Sequence, residues 1–408
     1  MPRDDKNMSV FLYEDLSRAE AQRRGEGIGR KGWKRVKLGD LCEITTGHKD
    51  VNEGNAEGKY PFFTCSKSVF CSDSFSFDDE AILIAGNGDV GTLHYYCGKF
   101  EAYQRTYVLT KFSIDISYCK WYLEHKLMKE LNEGKIGSSI PYIVRNQLAS
   151  FNVHAPNNIQ EQRKIANSIG AIDNLIKSLE SLISKYEDIK KATVNLLLKP
   201  KAKWDKIRLG DFEPHRNNTC SRSLTSSSTG KIRNIHYGDI LVKYGEIVSL
   251  ELDQVDYLSE AGEAHSPNDY LQDGDIVIAD TAEDETAGKV VEVQDVADQK
   301  AVAGLHTVFL RPPTDLFARG WLGYWMNSRF YHDQLLPYMT GIKVLSLSKS
   351  SLANTEISYP AREEQERLVR TLESIDTHIV ALHAQVDKAR QLKEGMMSYF
   401  FGRSTKEE

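Results

Sequence analysis

The sequence lacks the features that would place the protein in a membrane or on a secretion route. No apolar run approaches the roughly 20 residues that a bilayer-spanning helix needs. The first residues, MPRDDKNMSVFLYEDLSRAEAQRR, are too highly charged for a signal peptide. Six cysteines are present, but none forms a CxxC pair or has a histidine at zinc spacing. We therefore expect a cytoplasmic protein without membrane contact, in which reduced structural thiols are favoured over a zinc site.

An excess of positive charge is also missing. The net charge is −6, so nucleic-acid binding has to be argued from other features. With 408 residues, the chain is too long for one ordinary hydrophobic core, and we expect two or three domains.

No motif predicts catalysis. GNGDVG at 86–91 has the form GxGxxG, but a dinucleotide fingerprint must open a helix, whereas the following TLHYYCGKF predicts a strand. We interpret this stretch as a hairpin turn. It also fails as a P-loop, because Thr92 stands where the lysine belongs. The Asn-Pro-Pro-aromatic tetrapeptide of adenine methyltransferases is missing, and no Ser-His-Asp grouping can be identified from residue order. We predict no catalytic residue and no metal ligand.

What the sequence does contain is a repeat with an offset of 203 residues, which aligns Ile159 with Arg362. QEQRKIANSIGAIDNLIKSL at 160–179 returns as EEQERLVRTLESIDTHIVAL at 363–382. Apolar residues recur in both copies at alternating spacings of four and three, the seam of a coiled coil. The seams are Ile165, Ile169, Ile172, Ile176, Leu179, Ile183 and Tyr186, and Leu368, Leu372, Ile375, Ile379, Leu382, Val386 and Ala389. Two matching helices of about 55 Å, related end to end by an internal twofold, are predicted to pack antiparallel.

Two further repeats divide the chain into domains. WKRVKLGDL at 33–41 returns as WDKIRLGDF at 204–212, and a proline, Pro156 or Pro360, ends each domain before its helix. The predicted segments are a leader 1–32, a first domain 33–156, a helix with linker 157–203, a second domain 204–360, a helix 361–402 and a tail 403–408. Short strands, turns and helical stretches at 117–133 and 314–336 predict an α+β fold, in which two long helices separate two mixed domains.

Polar loops rich in Lys, Arg, Ser, Thr and Gly are the candidate binding residues, because such side chains suit phosphate and base-edge contacts. The candidates are His48, Lys49, Lys135, Ser138 and Arg145 in the first domain, and Arg216, Arg222, Lys231, Arg233, Lys343 and Lys349 in the second. Solvated loops are the alternative for each residue. The first domain has 14 basic and 15 acidic residues, and the second has 14 and 23. If the second domain binds DNA, its acidic residues, such as EDE at 283–285, must face away, or a basic partner must supply positive potential.

Taken together, these features resemble the specificity subunit of type I restriction–modification systems. The resemblance covers residues 33–402 and rests on the order and duplication of several motifs. These motifs are the two Trp-x4-Leu-Gly-Asp openings, Pro156 with Glu161-Gln162, Pro360 with Glu364-Gln365, the segment GIKVLSLSKSSLANTEISYP and the segment IRNIHYGDI. The leader 1–32 and the acidic second domain depart from the family pattern, and the acidic charge of the second domain argues against strong DNA binding by this chain without partners.

The resemblance implies a non-catalytic reader of double-stranded DNA. Each domain would read one half of an asymmetric target through the major groove, and the helices would form the spacer between the domains. The implied partners are two modification subunits, which flip and methylate adenines with S-adenosylmethionine, and restriction subunits that translocate and cut DNA with ATP and Mg²⁺. No cofactor is expected in this chain. The alternatives are a coiled-coil interaction scaffold with sugar- or protein-binding domains, an enzyme acting alone, or a decoy specificity subunit without restriction activity.

Overall fold

The computed structural model describes residues 32–132, 142–215, 222–226, 230–259 and 266–402. It divides into two compact units. Unit 1 comprises Met1–Glu180 with Ala384–Glu408, and unit 2 comprises Ser181–His383. Both boundaries fall inside long helices, at two positions that the 203-residue repeat makes equivalent. Each unit therefore combines one mixed domain with the first half of the helix that follows it and the second half of the other helix.

The first domain contains a six-stranded mixed sheet packed against one helix. Its elements are β1 (Trp33–Lys37), α1 (Leu38–Leu41), β2 (Glu43–Thr46), β3 (Tyr60–Phe63), β4 (Phe70–Ser72), β5 (Phe77–Ala85), β6 (Leu93–Ala102), β7 (Thr106–Thr110), α2 (Ile116–Asn132), α3 (Arg145–Ala149) and β8 (Asn152–Pro156). Six strands follow the order β2-β7-β5-β6-β3-β4, in which only β3 and β6 pair in parallel. Ile82, Ile84 and Leu109 pack against Tyr118 and Leu123 of α2 in the buried core. GNGDVG joins β5 to β6 as the predicted hairpin turn.

The second domain is richer in strands. Its elements are β9 (Asp205–Arg208), β10 (Glu213–His215), β11 (Thr225–Ser226), β12 (Ile232–Ile235), α5 (Tyr237–Val242), β13 (Ile247–Ser249), β14 (Tyr257–Leu258), β15 (Ile276–Ala279), β16 (Thr281–Ala282), β17 (Val290–Gln294), β18 (Lys300–Ala303), β19 (Thr307–Arg311), α6 (Trp321–Met326), α7 (Arg329–Leu335), β20 (Leu345–Ser346), α8 (Lys349–Ala353) and β21 (Glu356–Tyr359). The two long helices of the chain are α4 (Ile159–Leu197), which precedes this domain, and α9 (Arg362–Phe401), which follows it. Its main sheets have the orders β10-β19-β15-β17-β13 and β11-β14-β12-β18.

The predicted helix over 314–336 was too long, because Gly320 has a left-handed backbone (φ 85°) and helix α6 begins only at Trp321. The predicted α+β class is confirmed.

In both domains the first strand pairs with the last strand. Strand β1 pairs antiparallel with β8, and β9 pairs antiparallel with β21. The glycine of each Leu-Gly-Asp motif lies against a short helix. A Cβ on Gly39 would lie 3.1 Å from the Cβ of Ala149, and a Cβ on Gly210 would lie 2.8 Å from the carbonyl oxygen of Ala353. This close approach explains why the motif recurs.

The long helices run antiparallel within each unit. In unit 1, Lys393 Nζ lies 2.7 Å from Asp173 Oδ1, and Arg390 pairs with Glu180. In unit 2, Lys190 Nζ lies 2.6 Å from Asp376 Oδ1. The 203-residue offset converts the first pair, Asp173–Lys393, into the last, Asp376–Lys190. The two ion pairs between the long helices therefore follow the same repeat as the sequence.

The seam residues are the inner face of these helices. Buried seam residues are Ile165, Ile169, Ile176, Leu179, Ile183, Leu368, Leu372, Leu382, Val386 and Ala389, and half-buried ones are Ile172, Tyr186, Ile375 and Ile379. The first residues of each seam also belong to a domain core. Ile165 and Ile169 pack with the first domain, and Leu368 and Leu372 pack with the second. Each long helix is thus anchored in the domain that precedes it.

A buried glutamine ties each helix start to its domain. In unit 1, Gln162 accepts a hydrogen bond from the Asp115 N–H and donates one to the Pro156 carbonyl, at 2.8 and 2.7 Å. In unit 2, the Gln365 side chain accepts from the Ala318 N–H at 2.8 Å and donates to the Pro360 carbonyl at 2.9 Å. These bonds give the Glu-Gln motif a structural role.

Replacement of Gln365 with leucine is expected to lower the free energy of unfolding by about 2–4 kcal/mol. The fully buried amide would be lost, and three backbone groups, including the Leu316 carbonyl, would be left without a partner. Urea unfolding followed by tryptophan fluorescence measures the change. The control is Gln385→Leu on an exposed position of the same helix, for which we expect a change within about 0.5 kcal/mol. Equal effects of both variants would contradict the anchoring role.

Candidate nucleic-acid interface

Five loops of the first domain meet in what we call loop cluster 1. It comprises residues 47–50, 64–67, 86–89, 103–105 and 142–145. Backbone hydrogen bonds of 2.8 to 3.0 Å tie the loops together. They run from the N–H groups of Gly86, Ile143, Asp89 and Gln104 to the carbonyls of Arg105, Gly86, Cys65 and Lys49, respectively. Residues that are far apart in sequence are therefore joined in one cluster of loops.

The second domain contains an equivalent arrangement, which we call loop cluster 2. It comprises residues 235–239, 280–282, 304–306 and 340–347. The N–H of Asp280 donates to the His306 carbonyl at 3.1 Å, as Gly86 donates to Arg105 in cluster 1. The N–H of Leu347 donates to the Asp280 carbonyl at 2.8 Å, as Ile143 donates to Gly86. The two clusters share these two backbone connections although their side chains differ.

The hairpin that leads out of each cluster ends in a glycine that no other residue could replace easily. Gly91 and Gly288 have φ values of +80° and +90°. A Cβ would lie 2.2 Å from Met128 Sδ in the first domain and 2.4 Å from Leu335 Cδ1 in the second. The positive φ favours glycine at both positions, and the missing side chain lets each hairpin lie close to a helix of its domain.

Among the predicted residues of the first domain, His48 is exposed in cluster 1, and its ring stacks on Phe77 at 6.3 Å. Lys49 also lies in the cluster but is bound internally. Its Nζ donates to Ser72 and Ser74 at 2.8 Å each and lies 3.8 Å from the buried carboxylate of Glu101. A loss of binding on mutation of Lys49 would therefore include a structural component. Arg145 is exposed in the cluster, and its Nε donates to the Ile44 carbonyl. Lys135 and Ser138 lie outside the described residues.

The predicted residues of the second domain are more scattered. Lys343 is exposed in cluster 2, and Lys349 is exposed just beyond it at the start of α8. Arg222 forms an ion pair with Asp239 of the cluster. Arg233 lies over the ring of Tyr257 at 5.2 Å, and Lys231 precedes β12, whose last residue opens the cluster. The structure therefore does not bring Lys231 and Arg233 into cluster 2. Arg216 lies outside the described residues.

Sequence reasoning missed exposed side chains of cluster 1 and a partly buried group of rings in cluster 2. In cluster 1 these include Lys67 and Tyr142. In cluster 2 the rings of His236, Tyr237 and His306 form a contiguous group, with centroid separations of 4.5 and 5.2 Å. Burial lowers the pKa of His236, and its Nδ1 accepts a hydrogen bond from the Gly238 N–H. The only sequence signal for this group was the IRNIHYGDI segment.

The acidic triplet at 283–285 lies on the turn between β16 and β17. The carbonyl oxygen of Glu285 is 2.6 Å from Nε2 of His332 on α7. Asp280, rather than the triplet, is the carboxylate beside His306. Over the ranges that the structure describes, no group of three or more His, Cys, Asp or Glu side chains could hold a metal ion. No helix in those ranges is sufficiently long and apolar to cross a bilayer.

Comparison with known proteins places this geometry in a family context. Residues 30–187 match the family model described as type I restriction modification DNA specificity domain. The type I restriction enzyme EcoDI specificity subunit of Escherichia coli is 40% identical over 157 residues, which are 38% of this chain and 34% of that protein. The match therefore spans about a third of that relative. The type I restriction enzyme MjaVIII specificity subunit of Methanocaldococcus jannaschii is 21% identical over 401 residues, 90% of this chain and 91% of that protein.

Solved structures show the same fold. The type I restriction–modification S subunit from M. genitalium superposes with a TM-score of 0.61 at 15% identity, covering 93% of this chain and 99% of that one. A chain from a study of complex assembly and conformational transition of the type I R-M system has a TM-score of 0.50 at 14% identity, covering 92% and 99%. At these identities the likeness concerns the fold alone. The predicted resemblance to type I specificity subunits is confirmed by the family model and the curated relatives.

Proposed function

We propose that the chain is the DNA-reading specificity subunit of a type I restriction–modification system, and the premise is that residues 30–187 match the family model described as type I restriction modification DNA specificity domain. Each mixed domain reads one half of an asymmetric, bipartite target. The chain itself is non-catalytic. The observation that carries the proposal is the pair of loop clusters, which share backbone connections but differ in their exposed side chains.

That pairing supports a bipartite target for a geometric reason. Loops in equivalent positions on two repeated domains would meet two DNA half-sites in equivalent ways. Different side chains on the same framework read different bases. The antiparallel helices are the spacer, and seam residues such as Ile176 and Leu382 fix their register.

The proposed partners follow from the resemblance to type I specificity subunits. Two modification subunits supply S-adenosylmethionine and the methyl transfer, and restriction subunits supply ATP- and Mg²⁺-dependent translocation and cleavage. We propose that the complex works in the cytoplasm on double-stranded DNA. Because the second domain has 23 acidic and 14 basic residues, positive potential from the modification subunits would strengthen binding by that domain.

The direct test replaces residues 33–156 with the corresponding domain of a relative. The variant and the wild type are co-expressed with the modification subunits, and methylated sites are mapped by sequencing. We expect a split target with unequal halves in the wild type and a change of one half only in the variant. Replacement of residues 204–360 should change the other half. A single uninterrupted target would contradict the proposal, and a chain that forms no complex with a methyltransferase would favour an interaction scaffold.

A further inference from the structure

One turn occupies the same place in both loop clusters. In cluster 1, the turn 103–105 joins β6 to β7, and the carbonyl of Arg105 accepts hydrogen bonds from the Gly86 N–H at 3.0 Å and the Cys65 thiol at 3.2 Å. In cluster 2, the turn 304–306 joins β18 to β19, and the carbonyl of His306 accepts from the Asp280 N–H. The backbone of each residue is therefore tied to another loop of its cluster, and both side chains are exposed.

The side chain of Arg105 differs from those of Lys49 and Arg145, two other cations of cluster 1. Lys49 is bound to Glu101, and Arg145 donates to a carbonyl. Arg105 is exposed, and among the residues that the structure describes no carboxylate pairs with its guanidinium. With no carboxylate partner among the described residues, a guanidinium on this turn retains both parallel N–H donors for a ligand.

The side chain of His306, unlike that of Arg105, is oriented by two neighbouring side chains. It is 48% exposed, and its Nδ1 lies 3.7 Å from Oδ1 of Asp280. The ring of Tyr237 packs edge-on against it at 5.2 Å. A carboxylate near Nδ1 favours the tautomer that carries its proton there, which leaves Nε2 as an acceptor in the neutral ring.

We propose that Arg105 and His306 are specificity-determining residues at equivalent positions, each reading one base in its half of the target. The inference rests on the proposed function and deepens it. Arg105 matches the O6 and N7 acceptors of guanine, which a guanidinium contacts with two parallel hydrogen bonds. His306 makes a single contact, accepting from the exocyclic amino group of adenine or cytosine. The two clusters therefore read chemically different bases through the same turn.

The test uses the full chain assembled with its modification subunits, on the target mapped for the wild type. Arg105→Ala should relax the preference for guanine at one position of one half by about 5- to 150-fold, and leave the other half unchanged. Arg105→Lys should recover only part of the preference, because an ammonium cannot form the parallel pair. His306→Ala should relax one position of the other half. Methylation sequencing and binding to single-base variants of the target measure these changes.

Matched controls are Arg329→Ala and His383→Ala, which remove an exposed arginine and an exposed histidine from helices outside the clusters. Neither should alter base preference. Equal weakening on every sequence, with a shallower salt dependence, would identify Arg105 as a phosphate contact and overturn the inference. Unchanged preference in both variants would overturn it as well. If the wild-type complex itself has no sequence preference, the proposed function fails too, so the two failures are distinguishable.

Discussion

Insertion of one heptad after Ser178 and a second after Ala381 is expected to lengthen the unread spacer of the target by about three base pairs. Seven residues add about 10 Å to a helix at roughly 1.5 Å per residue. DNA rises about 3.4 Å per base pair. The bases that are read should stay the same, because neither loop cluster is altered. Methylation sequencing of cells that express the variant with its modification subunits measures the spacing.

The structure makes the two insertion points equivalent. They lie 203 residues apart, beside the unit boundaries at Glu180 and His383. The ion pair Asp173–Lys393 lies on the unit 1 side of both insertions, and Lys190–Asp376 lies on the unit 2 side. A whole heptad in both helices preserves these pairs and continues the seam.

The matched control inserts four residues at the same points, which introduces a stutter and disturbs the seam. That variant should be less stable than the heptad variant and should methylate poorly. Unchanged spacing in an active heptad variant would show that the helices do not set the distance between half-sites. Changed half-site bases would show that the helices themselves read DNA.

Replacement of Lys190 with methionine is expected to lower the free energy of unfolding by about 2–4 kcal/mol. Lys190 Nζ lies 2.7 Å from Glu246 and 2.6 Å from Asp376, and all three side chains are largely shielded from solvent. Without the cation, two carboxylates would face each other in a partly buried site. Urea unfolding followed by tryptophan fluorescence measures the loss.

The pH dependence tests the cause. Burial alone would lower the pKa of Lys190, but Glu246 and Asp376 outweigh it, and the pKa is raised above 10.5. A raised lysine pKa contributes stability that is fully present at neutral pH and is lost as the pH rises through the folded-state value. The difference between wild type and variant should therefore be constant from about pH 6 to 9 and decrease above pH 10.5.

The control for this experiment is Lys191→Met, which removes the neighbouring exposed lysine and should change stability by no more than about 0.5 kcal/mol. Lys393→Met in unit 1 should resemble Lys190→Met, because Lys393 holds Asp173 and Glu124 in the equivalent place. A difference between wild type and Lys190→Met that does not decrease at high pH would point to lost packing of the lysine stem rather than to charge.

Much of the architecture is local in origin and could be predicted. The four-three spacing predicts the long helices, which the structure has at Ile159–Leu197 and Arg362–Phe401. A strand following GNGDVG predicts the hairpin between β5 and β6. Periodicity and turn residues act over a few neighbouring positions, so one sequence suffices to recognise them. The error over 314–320 arose because apolar residues suggested a helix where the left-handed Gly320 delays its start to Trp321.

The candidate site could be predicted only in part, because it depends on contacts between distant residues. The sequence by itself determined the repeated helices, their seam and the duplicated domain openings, since these are periodic or repeated patterns. Only the tertiary structure placed Arg105 beside Gly86, His306 beside Asp280 and Lys49 on Glu101. The physical reason is that hydrogen bonds between loops depend on how the strands pair in the tertiary structure. A contact between residues that are distant in sequence leaves no local pattern in a single sequence.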